Sequence, residues 1–209
     1  MTRFKNDFCN VVVIMFFVFI MGGCLSVPES QNPHFYMLQP LENDQIIQKF
    51  NLLPEAIIGI GPVKIPEYLN RPQIVTLNKD ATMRFSEFDR WAESLNFLLA
   101  GVVRENLILM LPGAKFEIYP WNVAIPVKYQ VMIEVVQFDA RLEKDLFFVV
   151  QWSVFDINNK RMLAIKRSEF RQAIDQHNYS ALVSAFNLEC GSLSSQIAEE
   201  IAGFENKKE

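Results

Sequence analysis

The chain has 209 residues, half of them hydrophobic, and a formal net charge of −4. A mildly acidic balance carries no electrostatic footprint for nucleic acid, and the chain lacks a polybasic patch for anionic lipid headgroups. The length suits one domain with a core large enough to need no disulfide staples.

The first residues point to a compartment. Arg3 and Lys5, tempered by Asp7, precede an apolar run from Val11 to Ile20, and Met21-Gly22-Gly23-Cys24 follows. A basic start, a short apolar stretch and small residues at the cut describe a secretory signal. The run is shorter than the roughly 20 apolar residues of a spanning helix. Small residues followed by cysteine are what a lipoprotein signal peptidase accepts. Residues 1–23 therefore read as signal peptide and Cys24 as the lipidated first residue of the mature chain. Each buried acyl methylene contributes about 0.8 kcal/mol, so several acyl chains hold a domain firmly at a membrane. An uncleaved anchor and an ordinary signal with an accidental cysteine are the competing readings. Leu25, not Asp, follows the cysteine, which favours the periplasmic face of the outer membrane over the inner membrane. Loss of Arg3, Lys5 and Asp7 leaves the mature chain slightly more acidic. With Cys9 removed and Cys24 acylated, Cys190 stands alone and no intramolecular disulfide can form.

Residues 24–33 carry Ser, Pro, Glu, Gln and Asn and read as a short tether; 34–204 is the domain and 205–209 a charged tail. His34 to Leu38 is a first strand candidate, and Asn43 to Asn51 is indeterminate. Ala56 to Val63 is β-rich and bounded by prolines, a strand entering a turn. Pro66 to Pro72 is a loop stiffened by two prolines. Gln73 to Leu77 is a strand, Asn78-Lys79-Asp80 a turn, and Thr82 to Phe85 a short strand. Trp91, Leu95, Leu98, Leu99, Val102, Val103 and Leu107 form one helical stripe, ended by Pro112-Gly113. Phe116 to Tyr119 is a short strand. Lys128 to Phe138 alternates, with Tyr129, Val131, Ile133 and Val135 on one face. Leu146 to Phe155 is an apolar strand containing Trp152, Asp156 to Lys160 a hairpin turn, and Arg161 to Phe170 the partner strand. Asn178 caps a last helix whose stripe is Tyr179, Leu182, Val183, Phe186, Cys190, Leu193, Ile197 and Ile201, broken by Gly191. Two single-faced helices among strands predict an α+β fold: a mixed or antiparallel sheet with both helices packed on one face.

The residues that carry chemistry are sparse. His34, His177 and Cys190 have no metal-motif spacing. No Gly-x-Ser-x-Gly elbow occurs. Gly59-Ile60-Gly61 is followed by Pro62 rather than a helix, so it reads as a strand with close backbone approach or a bulge, not a nucleotide loop. Glu199 and Glu200 are adjacent and read as a solvated rim. The abundant phenylalanines read as core. Tyr68 and Arg71, on the proline-stiffened loop, are either a structural turn or a contact surface. No cofactor or metal is implied.

The segment Ile58-Gly59-Ile60-Gly61-Pro62-Val63-Lys64-Ile65-Pro66-Glu67-Tyr68-Leu69-Asn70-Arg71-Pro72-Gln73-Ile74-Val75 resembles the signature of the ABC-type transport auxiliary lipoproteins, the PqiC (YmbA) group. Tyr36-Met37-Leu38, Trp91-Ala92-Glu93-Ser94-Leu95, Trp152 before Asp156, Tyr179 to Ala185 and Ile197-Ala198 stand in the matching order. Ala140 replaces a common turn glycine, and Phe186 to Gly191 departs from the pattern. The resemblance implies a non-enzymatic lipoprotein of an MCE/ABC-type system that moves lipids or other hydrophobic compounds between membranes. Its implied partners are an MCE-domain protein and inner-membrane permease components, membrane lipid through the acyl anchor, and further copies of itself in a ring. It implies docking of the conduit at the outer membrane; the proline-stiffened loop, with Tyr68 as a large amphipathic contact and Arg71 as a planar donor fork, is the expected partner or self-association contact. A tethered activator of a peptidoglycan synthase is the alternative, which the short tether disfavours; an enzyme is disfavoured by the missing constellation.

Overall fold

The alternating apolar residues between Tyr129 and Val135 are the clearest case of sequence dictating structure. In the computed structural model, which describes residues 31–206 apart from 47 and 51–55, Tyr129, Val131, Ile133 and Val135 are all buried on one face of a strand. That strand, Tyr129–Arg141, contains a bulge between Val135 and Gln137. The extra residue reverses the alternation, so that Phe138 and Ala140 rejoin the buried face. The signal peptide, Cys24 and residues 24–30 of the tether lie outside the described residues. Pro33–Glu209 forms one unit.

The strands in chain order are β1 (His34–Tyr36), β2 (Ile57–Lys64), β3 (Gln73–Leu77), β4 (Met83–Trp91), β5 (Lys115–Ile118), β6 (Tyr129–Arg141), β7 (Asp145–Asp156) and β8 (Arg161–Ala173). The helices are α1 (Leu95–Met110), between β4 and β5, and α2 (Tyr179–Asn206), after β8. The α+β class holds, and the strands divide between two mixed sheets rather than joining one. The larger has the order β5-β2-β6-β7-β8, with β2 parallel to both β5 and β6 and the rest antiparallel. The smaller has the order β1-β4-β3, with β1 parallel and β3 antiparallel to β4. The α1 helix packs on β2 and β5, α2 on β7 and β8, and the helices pack on each other, so both cover one face of the larger sheet.

The α1 stripe runs from Leu95 through Leu98, Leu99, Val102, Val103 and Leu107, all buried. Trp91 is a correction. It ends β4, its backbone N–H bonded to the carbonyl of Pro72, while its ring meets Phe186 of α2 edge-on at 6.4 Å. It shares the core without sharing the helix. The Asn178 cap is formed: its Oδ1 accepts from the Ala181 N–H at 2.7 Å. Phe138, Phe148 and Phe186 close the core as an edge-on trio with centroids 4.9–6.4 Å apart. The break in the α2 stripe has a cause. A Cβ on Gly191 would lie 2.5 Å from Cδ1 of Leu41, so the glycine admits the segment that precedes β2. The same segment is tied to both helices by buried Asn106 of α1. Asn106 accepts from the Leu41 N–H at 2.8 Å and donates to Ser194 of α2 at 3.3 Å.

Candidate functional site

The signature segment is β2 and the turn after it. Ile58 and Ile60 point into the core beneath the helices and are fully buried. Gly59 therefore faces the other side of the sheet. A Cβ there would lie 2.5 Å from Cη2 and 2.6 Å from Cζ3 of Trp121, so the indole rests directly on the β2 backbone. Strands β5 and β6 flank β2, and the segment joining them must cross it. Trp121 is the point of contact on that crossing. Gly61 has φ +111°, which favours glycine, and its missing side chain makes room for Tyr119. Its carbonyl accepts from Nε2 of Gln130 at 2.9 Å, and the ladder to β6 shifts register between Ile60 and Val63. Tyr119 and Trp121 meet edge-on at 5.6 Å. The two signature glycines thus serve one purpose: they let an aromatic loop lie flat on the face that the helices leave bare.

After β2 the chain forms a short 3₁₀ turn, Glu67–Leu69. Leu69 enters the core. The Tyr68 hydroxyl reaches β6, where it receives the N–H of Phe138 at 3.3 Å and approaches the Phe138 carbonyl at 3.5 Å. Strand β6 outruns β2, whose pairing ends at Glu134. Tyr68 therefore satisfies backbone groups on an edge that would otherwise be open. Burial raises the affinity of this hydroxyl for its proton; the N–H of Phe138 opposes that and Asp139 adds to it. Arg71 lies elsewhere. Its guanidinium stacks on the ring of Phe85 of β4 at 4.1 Å, and its buried Nε has no hydrogen-bond partner among the described residues. The fold does not bring Tyr68 and Arg71 into one constellation: one hydroxyl is turned inward to β6 and one cation is laid across β4.

Comparison with known proteins now bears on this geometry. The family model described as ABC-type transport auxiliary lipoprotein component matches residues 36–198. The chain belongs to the ABC-type transport auxiliary lipoprotein family. Among solved structures, an uncharacterized protein is similar at 19% identity with a TM-score of 0.66, over 82% of this chain and 99% of that one. A Xanthomonas campestris protein of the DUF330 family is similar at 11% identity with a TM-score of 0.66, over 84% and 99%. At these identities the likeness is one of fold. Among curated proteins no relative matches the chain.

The family is one of auxiliary transport lipoproteins, not of enzymes, and the remaining sequence candidates are placed accordingly. His34 Nδ1 lies 3.3 Å from Asp89 and His177 Nδ1 3.5 Å from Glu143. Cys190 is sealed on the core face of α2, and burial pushes its thiol well above the usual range. Among the described residues no group of three or more His, Cys, Asp or Glu could hold a metal ion, and no helix is long and apolar enough to cross a membrane. Glu200 is not simply rim: it pairs with Lys166 of β8, while Glu199 is exposed. Sequence reading missed the Gly59–Trp121 seat, although two glycines inside a strand signalled close approach.

Proposed function

We propose that this family member is a non-enzymatic periplasmic lipoprotein that serves an MCE/ABC-type transport system carrying lipids or other hydrophobic compounds between membranes. Cys24 is its acyl anchor at the periplasmic face of the outer membrane, and the folded unit docks the end of the conduit there. The observation that carries this reading is the family match from Tyr36 to Ala198, beginning twelve residues after a lipobox cysteine. Its partners are an MCE-domain protein, the permease behind it and further copies of this chain. The loop from Pro66 to Pro72 is the proposed contact, with divided labour: Tyr68 holds the loop against β6, and Arg71 with Phe85 forms the presented surface.

The test separates anchor, brace and contact. Cys24→Ala abolishes incorporation of a palmitate analogue; equal label in the variant and the wild type refutes the anchor. Tyr68→Phe lowers the melting temperature, because about 1 kcal/mol of hydrogen bonding to β6 is lost. Arg71→Ala melts near the wild type but loses co-purification with the MCE protein or ring assembly. Normal melting together with normal capture and assembly in Arg71→Ala refutes the contact. Capture of a peptidoglycan synthase in place of the MCE protein favours the activator reading.

A further inference from the structure

The end of β5 and the loop after it read Glu117-Ile118-Tyr119-Pro120-Trp121, a carboxylate and two aromatic rings at alternate positions. On a strand, alternate residues share a face. Ile118 pairs with Ile60 and packs against the core, so Glu117 and Tyr119 stand on the face that the helices leave bare. Glu117 is the register partner of Gly59, one strand spacing of about 4.8 Å away. It therefore flanks the indole that lies over that glycine.

Trp121 sits over Gly59 and Tyr119 over Gly61, two positions apart on one strand, so the rings stand side by side. The indole lies against the sheet, and the two ring planes meet at 86°. The indole is thus a floor and the phenol ring an upright wall. Tyr119 is 48% exposed and Trp121 partly exposed, so this corner opens to solvent. The backbone fixes it: the Tyr119 N–H donates to the Ile60 carbonyl at 2.9 Å, and Asn122 Oδ1 accepts from the Ala124 N–H at 2.9 Å.

An aromatic face carries negative potential, and two of them at a right angle suit a cation held between them. The carboxylate beside them adds a full negative charge. Glu117 forms no ion pair among the described residues. The nearby basic side chains lie outside the corner. Lys128, beside Ile57, is laid over the Tyr129 ring at 5.1 Å. Lys115 is exposed on β5, on the side of Glu117 away from Tyr119.

We infer that Glu117, Tyr119 and Trp121 form a binding site for an organic ammonium ion. The cation rests on the indole against the phenol ring, with Glu117 as its counter-charge. That chemistry is shared by a free amine and by the ammonium end of a phospholipid headgroup. The site depends neither on Cys24 nor on the loop from Pro66 to Pro72. An exposed ring face strengthens the binding of a cation by about two- to five-fold, and an exposed carboxylate by up to about five-fold.

The experiment uses the full chain in maltoside micelles, with fluorotryptophan at its three tryptophan positions. Trp91 and Trp152 are buried and report the fold, whereas Trp121 reports the corner. Choline chloride is titrated against sodium chloride at constant ionic strength and followed by fluorine NMR. The expected result is a saturable shift of the Trp121 resonance alone. Its Kd rises at least about three-fold in Glu117→Gln and in Tyr119→Leu, with the Trp91 and Trp152 resonances in place. If Tyr119→Leu disturbs those two resonances, Glu117→Gln decides, since it keeps the side-chain shape. An equal response to the neutral isostere of choline, with carbon in place of nitrogen, overturns the site and leaves only an apolar corner. The absence of a saturable shift, or an unchanged Kd in Glu117→Gln, also overturns it. Bicelles of phosphatidylcholine or phosphatidylglycerol then separate the sources, and either answer supports the site. A Trp121 resonance already at its bound position in phosphatidylcholine alone assigns the site to a headgroup. A resonance that ignores both lipids and still answers free choline assigns it to a soluble amine.

Discussion

Replacing Gly59 by alanine tests how the signature segment works. In an ordinary strand, alanine is better than glycine by roughly 0.5–1 kcal/mol, because glycine loses more backbone freedom on folding. Here the new Cβ would sit 2.5–3.0 Å from three atoms of the Trp121 ring. A ring is rigid, so the whole indole must lift, and Tyr119, which meets it edge-on, must follow. Overpacking of this kind costs about 1–3 kcal/mol, and the rigidity places it in the upper half of that range. After the gain from alanine, Gly59→Ala should lose about 2 kcal/mol. For a domain of this size that lowers the melting temperature by roughly 4–8 °C. The cycle with Trp121→Ala makes the argument specific. Without the indole, Gly59→Ala should be neutral or slightly stabilising. Thermal melting by circular dichroism gives the four stabilities. If Gly59→Ala costs the same with and without Trp121, the glycine is required by something other than the ring, and the seat is not the reason for the motif.

Two further perturbations test α2. Cys190 is fully buried with its thiol raised well above the usual range, so a thiol reagent should modify the native protein orders of magnitude more slowly than the denatured one; prompt labelling of the native protein would mean that the face of α2 is misassigned. Burial raises the Glu189 carboxyl above its ordinary value of 4.5, against a weaker opposing hydrogen bond from Ser192. An acid raised by folding binds its proton more tightly in the native state, so stability falls as pH rises from about 4.5 through the folded value and stays lower above it. Glu189→Gln should therefore melt higher than the wild type at pH 7, with the gap closing towards pH 4. A gap that stays constant across that range refutes the assignment.

What could be read from the chain depended on whether the signal was local. The alternation from Tyr129 to Val135 and the Asn178 cap are local, and each appears in the structure as expected. Strand pairing is not local. His34–Tyr36 pairs with a segment more than fifty positions away, and nothing in either stretch distinguishes a three-stranded sheet from an edge of the larger one. The bulge after Val135 carries no signal, because Val135 and Val136 are alike and either could face the core. Trp91 misled because burial in a shared core mimics a helical spacing, whereas its backbone N–H is committed to Pro72. The same limit governs the sites. Tyr68 looked like a presented side chain, but a phenol has an apolar body and a polar tip, and only the fold shows the tip seated on Phe138. The cleft lined by Lys79, Arg84 and Lys144 was invisible because these residues are individually ordinary and meet only when the β3–β4 and β6–β7 hairpins do.

The two ends of β6 connect these findings. Its thirteen residues span about 40 Å from Tyr129, beside the Trp121 loop, to Arg141, in the cleft between the β3–β4 and β6–β7 hairpins. The aromatic loop on β2 therefore stands at the other end of β6 from that cleft. The signature glycines then do more than fill space: they fix Tyr119, Trp121 and the fully solvent-exposed Val123 on the sheet face that neither helix covers. A scaffold of this kind needs rigidity between its ends. Asn106 joins α1, α2 and the segment before β2, and the Trp152 indole donates to Ser168, whose hydroxyl meets Gln196 of α2. These polar contacts cost freedom, and they hold both helices in one fixed relation to the larger sheet. Rigidity of that sort keeps the Trp121 loop and the cleft between the hairpins at a constant separation along β6.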